Sequence, residues 1–226
     1  MNSNEALGRL HEFFPERAGK LADYIAAKNS TENKIEKWRE DQLVKFIRSL
    51  ALNADELERA FRQDRITTLA WAARNVLELS VWIDYCSVDP THAKRFRDDS
   101  ARDFYGFTKS MHALHIEEHG QADSGLEKAQ KDLEAFATTV FGMGALDDDF
   151  ERVSKAADEL GWGKRFSALN KIYSKYAHPT AWAVNAVNSV EADAGFRKMF
   201  LMDGIEMATG SLTKIRGFIL SFYPMT

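Results

Sequence analysis

Residues 66–86 read ITTLAWAARNVLELSVWIDYC, the most apolar long stretch of the chain. At about 100° per residue, Leu69, Ala73, Val76, Ser80 and Ile83 share one face of a helix. Trp71, Arg74, Glu78, Trp82 and Tyr85 fall on the opposite face. A helix apolar on nearly every side is normally buried, so Leu69 to Cys86 is expected to be a central helix with others packed around it. Arg74, Asn75, Glu78 and Asp84 are too many polar groups for a stable membrane span of about 20 residues. An unpaired buried charge is costly, so Arg74 and Glu78 should pair with each other or with a third group. One reading is a structural ion pair that sets helix register. The other is a polar pocket inside the bundle, with Arg74 anchoring an anion and Glu78 serving as acid, base or ligand.

The composition around this stretch excludes several classes. The chain has 226 residues, of which 45% are hydrophobic and 28% charged. Disorder needs less apolar and more net charge than this. Cys86 is the only cysteine, so a disulfide scaffold is excluded. Four prolines and thirteen glycines are too few for collagen-like or low-complexity classes. A net charge of −4 argues against a general nucleic-acid coat, which is basic. The beginning of the sequence shows neither a cationic start nor an apolar segment of signal type. A soluble, reducing, cytoplasmic setting with no membrane partner is therefore expected.

Nearly every segment has helical periodicity, and no alternating run of strand length stands between turn signals. Helices are predicted from Asn4 to Phe14 and from Pro15, as a first helical residue, to about Lys28. Ser30 and Thr31 can cap a third helix. Asn53 and Glu56 resemble a capping box opening a long helix to Tyr85, bent near Gln63 to Ile66. Asp89-Pro90 starts the next helix, which should run to Glu118 and close at His119-Gly120. Ser124 to Phe141 should close on Gly142 and Gly144, and Asp147 to Leu160 on Gly161. Lys164 to Ala177, Pro179 to Val190 and Ala194 to Phe222 complete the set. The expected fold is all-α: a multi-helix up-and-down bundle with a peripheral N-terminal helical hairpin. Residues 1–52 would form that appendage, and residues 53–226 the main bundle.

One segment departs from the acidic average. Trp162 to His178 contains no acidic residue. Phe166, Leu169, Ile172, Tyr173 and Tyr176 form its apolar face, and Lys164, Lys171 and Lys175 the opposite stripe. Proline disfavours the α region at the residue before it, so His178 should sit at a junction between helices, close to the next N-terminus. That place suits an anion beside backbone N–H groups. It equally suits a histidine that satisfies a helix end beneath a solvated lysine face.

Tyr173-Ser-Lys-Tyr-Ala-His178-Pro, with Arg74-Asn-Val-Leu-Glu78-Leu upstream, resembles an uncharacterised bacterial all-helical family. That family is distantly similar to abortive-infection proteins and the HEPN superfamily, and the resemblance spans about residues 65 to 220. It implies a stress or phage-defence setting and a possible homodimer. The active HEPN members are metal-independent ribonucleases with an Arg-x(4–6)-His motif that acts on the scissile phosphate and 2′-OH. Here Lys171 stands at that spacing instead of arginine, and many HEPN-like proteins are inactive binding modules. Two functions are carried forward from this. In the first, a polar cluster of Arg74, Glu78, Tyr173 and His178 binds a protein partner or small anionic ligand. In the second, His178 is general acid/base on RNA, with Lys171 or Lys175 stabilising the phosphate.

A third signal is His112, His115 and His119, which share one helix face by their three- and four-residue steps and have the spacing of zinc or iron ligands. Histidines near a helix C-terminus also complement its dipole. Asp147 to Asp149 lacks the glycine and spaced ligands of a calcium loop. No Gly-x-Gly-x-x-Gly or Walker loop is present, and no cofactor is expected.

Overall fold

The computed structural model describes residues 3–144, 146, 151–178, 180 and 190–224. Among them every regular element is helical. These are α1 (Ser3–Glu32), α2 (Lys37–Arg62), α3 (Ile66–Val88), α4 (Pro90–His119), α5 (Ser124–Phe136), a π turn (Ala137–Phe141), α6 (Val153–Glu159), α7 (Gly163–Ala177) and α8 (Val190–Phe222). None of the described helices is long and apolar enough to cross a membrane. The chain divides into two compact units. One joins the residues up to Val88 with those from Val153 onward, and the other is Asp89–Arg152. Residue 52, where a boundary was expected, lies inside α2.

In the first unit α3 packs against α2, α6, α7 and α8. Leu69, Val76, Leu77, Val81, Ile83 and Tyr85 are buried along it. The helix is central because it is apolar on nearly every side. Polar pairs set its register against α8. Ser211 Oγ donates to Ser80 Oγ at 2.9 Å, and Ser80 donates to the Val76 carbonyl. Lys214 Nζ meets the Asp84 carboxylate at 2.6 Å. Farther along α8, a Cβ on Gly204 would lie 2.6 Å from Leu57 Cδ1 of α2. The absence of a side chain there lets the two helices approach.

Several local signals are used differently from their sequence reading. Pro15 does not begin a helix; it lies inside α1. An interior proline costs about 3 kcal/mol through a lost hydrogen bond and a ring clash. Burial of Phe14 and Ala18 on either side of it offsets that cost. Ser30 and Thr31 cap no N-terminus. Their hydroxyls donate back to the Ala27 and Lys28 carbonyls in the last turn of α1, and Asn33, at φ 48°, ends the helix. Asn53 opens no helix either. Inside α2 its amide donates to the Ser49 carbonyl and its oxygen accepts from Asn75 at 3.0 Å. Such side chains bond either a helix end or their own preceding turn, and here the second wins.

The long helix expected from Asn53 to Tyr85 is two helices, parted at residues 63–65 where Asp64 has φ 57°. Arg197 of α8 holds this break. Its Nη2 donates to the Phe61 carbonyl at 2.9 Å, it pairs with Asp64, and it stacks 5.1 Å over the Phe61 ring. A cation on the last carbonyls of α2 also complements the helix dipole. Of the helix expected from Pro179 to Val190, all but residues 180 and 190 lie outside the described residues. Asp147 to Phe150 of the one expected before Leu160 also lie outside them, and its helical described part is α6.

The second unit follows its sequence signals closely. The Asp89 side chain accepts from the Thr91 N–H at 2.7 Å, with Pro90 as first helical residue. Gly120, at φ 70°, closes α4. Asp123 accepts from the Leu126 N–H at 2.9 Å and caps α5, and Gly142, at φ 65°, closes the π turn. Among the described residues its apolar core is small: Ala101, Ala137 and Leu146, with Tyr105, Leu133, Phe141 and Met143 partly buried around it. Buried Asp98 is held by Lys94 and Arg97. Buried Asp99 is held by Arg102 and the Glu151 N–H.

Candidate functional site

Two residues of α3, one turn apart, meet the residue that follows α7. Arg74 Nε donates to Glu78 Oε1 at 3.0 Å. Arg74 Nη1 lies 3.0 Å from His178 Nε2. A guanidinium has donors only, so Nε2 is the acceptor and the ring proton sits on Nδ1. In this contact His178 turns Nε2 to the guanidinium and presents Nδ1–H on its other side. The Arg74 and Glu78 side chains are 29% and 30% exposed, so water reaches the pair. The pairing expected of these two charges is present, with His178 as third member.

Backbone geometry holds His178 in place. It is extended (φ −118°, ψ 150°), as expected for a residue before proline. Its N–H donates to the Ser174 carbonyl and its carbonyl accepts from the Thr180 N–H at 2.7 Å. Aromatic rings flank the cluster along α3. Trp71, one turn before Arg74, is 49% exposed. Trp82, one turn beyond Glu78, lies edge-on to Tyr85.

Tyr173 takes no part in this cluster. Tyr173 lies on the apolar face of α7 with Phe166 and Tyr176 and faces inward. It is buried, packs edge-on against Phe200 and donates to Asp203 Oδ2 of α8 at 3.2 Å. Burial, reinforced by the Asp203 charge, pushes its phenol well above the ordinary range. Burial likewise raises the Asp203 carboxyl, against the opposing effect of the Tyr173 hydrogen bond. Nothing local in the sequence marked this pair.

A group whose folded pKa is raised contributes stability below its unfolded value and loses it as pH rises through the folded value. Asp203→Asn keeps an acceptor for Tyr173 without the charge. It should melt above wild type at pH 7, and the difference should close below about pH 4, where the free carboxyl is also protonated. Thermal melts of both proteins at the two pH values test this. A variant that melts lower at pH 7 would refute it.

Lys171 and Lys175 stand exposed on the outer stripe of α7. Lys171 precedes His178 by two turns, roughly 10 Å of helical rise, and it is Arg74 that touches the imidazole. That arginine lies 104 residues upstream, outside any local motif. Arg165 lies 3.8 Å from Glu206.

The three histidines of α4 do not form the expected metal centre. No three His, Cys, Asp or Glu side chains among the described residues converge as ligands would. His115 and His119 instead lie ring to ring at 4.4 Å, and His115 Nε2 lies 3.9 Å from Asp123. His112 Nε2 is buried without a hydrogen bond. Cys86 is also chemically quiet. Burial pushes its thiol up to about 12, so it stays protonated and unreactive.

No family model, curated protein or solved structure matches the chain.

Proposed function

We propose that Arg74, Glu78 and His178 form a binding site for a small anionic ligand. The observation that supports this is the partly exposed guanidinium shared between a carboxylate and an imidazole. Two of its five N–H groups are used within the cluster, which leaves donors for a phosphate or carboxylate. Glu78 orients the guanidinium, and His178 adds Nδ1–H as a further donor. The resemblance to bacterial HEPN-like and abortive-infection proteins supports a stress or phage-defence setting.

A second reading rests on the same contact. Arg74 beside His178 supplies the arginine–histidine chemistry of a metal-independent ribonuclease, with Arg74 on the phosphate in place of Lys171. Released from Arg74, Nε2 can take the 2′-OH proton as the 2′-oxygen attacks the phosphorus, and the imidazolium so formed returns a proton to the leaving 5′-oxygen.

Titration calorimetry with inorganic pyrophosphate tests the first reading. Wild type should bind, and Arg74→Met, folded by circular dichroism, should bind at least about tenfold more weakly, a loss of about 1.4 kcal/mol. Equal binding by the two proteins, or none by wild type, would refute it. Cleavage of labelled RNA in chelator by wild type, lost in His178→Ala, would establish the second reading.

A further inference from the structure

We infer that the exposed face of α4 is the contact through which two copies of this chain pair. The Asp89–Arg152 unit has an inverted apolar balance. Among its described residues the buried apolar ones are Ala93, Ala101, Ala137 and Leu146, whereas Phe104, Phe107, Met111, Leu114, Ile116, Phe136 and Val140 are exposed. Four of the exposed residues form an ordered stripe. Phe104, Phe107, Met111 and Leu114 follow steps of three, four and three, the seam pattern of paired helices. Their exposures are 53%, 58%, 41% and 45%. Phe104 and Phe107 stack on each other with ring centroids 6.0 Å apart. This seam is distinct from the face that α4 turns inward within its own unit, which carries Ala101, Tyr105 and Thr108.

The pattern identifies the occupant. Steps of three, four and three read the same in both directions. A second α4 related by a two-fold axis near Lys109 would place Phe104 of one copy opposite Leu114 of the other, and Phe107 opposite Met111. Such an interface is isologous and closes on itself. Thr108 and Ser110 flank the seam at its middle and put little bulk in the way of a second helix.

The area is sufficient. A large side chain of about 200 Å² that is half exposed offers roughly 100 Å². The four residues of two copies then cover about 800 Å² of apolar surface. At the usual share of about 57% apolar area, the whole interface is about 1,400 Å². Stable interfaces bury about 1,200–2,000 Å².

Sedimentation equilibrium of the full chain between about 5 and 100 μM tests the inference. Wild type should approach twice the chain mass of 25.6 kDa. Phe107→Glu with Met111→Glu should be monomeric over the same range, with an unchanged circular-dichroism spectrum and melting temperature. As an independent check, Ser110→Cys should form a disulfide-linked dimer on mild oxidation, since the native cysteine is buried. A monomeric wild type would overturn the inference. So would a charged double variant that still dimerises, or a Ser110→Cys protein that stays uncrosslinked.

Discussion

Lys214→Met is expected to lower stability by about 3 kcal/mol, the range found when one partner of a buried ion pair is removed. The asymmetry of the pair is the reason. The Asp84 side chain is 7% exposed, while that of Lys214 is 47% exposed. Desolvation therefore falls on the carboxylate, and the lysine at 2.6 Å is what compensates it. Methionine keeps the packing of the aliphatic stem and removes only the charge. The double variant Asp84→Leu with Lys214→Met should regain most of the loss, because a buried pair replaced by apolar groups is often close to neutral. Urea unfolding of wild type, both single variants and the double variant gives the coupling. A loss under about 1 kcal/mol in Lys214→Met would show that water reaches Asp84 and that the pair is ordinary surface chemistry.

The pair also shows why some of this molecule was legible in its sequence and some was not. Helix ends whose signals act within four residues were read well. Asp89 and Pro90, Gly120 and Gly142 each satisfy or terminate a neighbouring backbone segment, so the needed information is adjacent. The centrality of α3 was readable because its apolarity does not depend on direction. Pro15, Ser30 and Asn53 were misread because each residue type has two local uses, and packing elsewhere in the chain decides between them.

The same division runs through the candidate site. Arg74 and Glu78 are one turn apart, and helical spacing predicted their pairing. His178 joins them from a distant segment, and only the resemblance placed those two motifs side by side. Tyr173 was drawn into the cluster by that same motif, although its position on the apolar face of α7 already pointed it toward α8. Asp203, its true partner, carries no local pattern. The apolar stripe of α4 is a different case. Its periodicity is visible in the sequence, but α4 carries a second apolar face beside it. Periodicity alone does not say which of two faces a single chain buries.

Asn29→Leu should cost a similar amount, about 3 kcal/mol, because it strands several buried groups at once. Asn29 is 4% exposed at the end of α1. Its amide donates to Glu40 at 2.6 Å. Its oxygen accepts from the Ile35 N–H at 3.1 Å and from the Tyr223 hydroxyl. That hydroxyl in turn accepts from the Lys34 N–H at 3.0 Å. One side chain thus joins the α1–α2 turn, the first turn of α2 and the segment after α8. Leucine fills the volume but leaves Glu40, 5% exposed at its side chain, to Lys37 at 2.8 Å.

Tyr223→Phe removes a single hydroxyl and should cost about 1–1.5 kcal/mol. The two substitutions should be less than additive by at least about 0.5 kcal/mol, since the hydroxyl has lost its acceptor once Asn29 is gone. Urea midpoints of the four proteins test this, and strict additivity would mean that the bonds act independently. Pyrophosphate titration of Asn29→Leu, well below its melting temperature, completes the argument. Unchanged binding would separate what holds the α1–α2 turn together from what Arg74 and His178 do, whereas weakened binding would make the turn part of the support of the site.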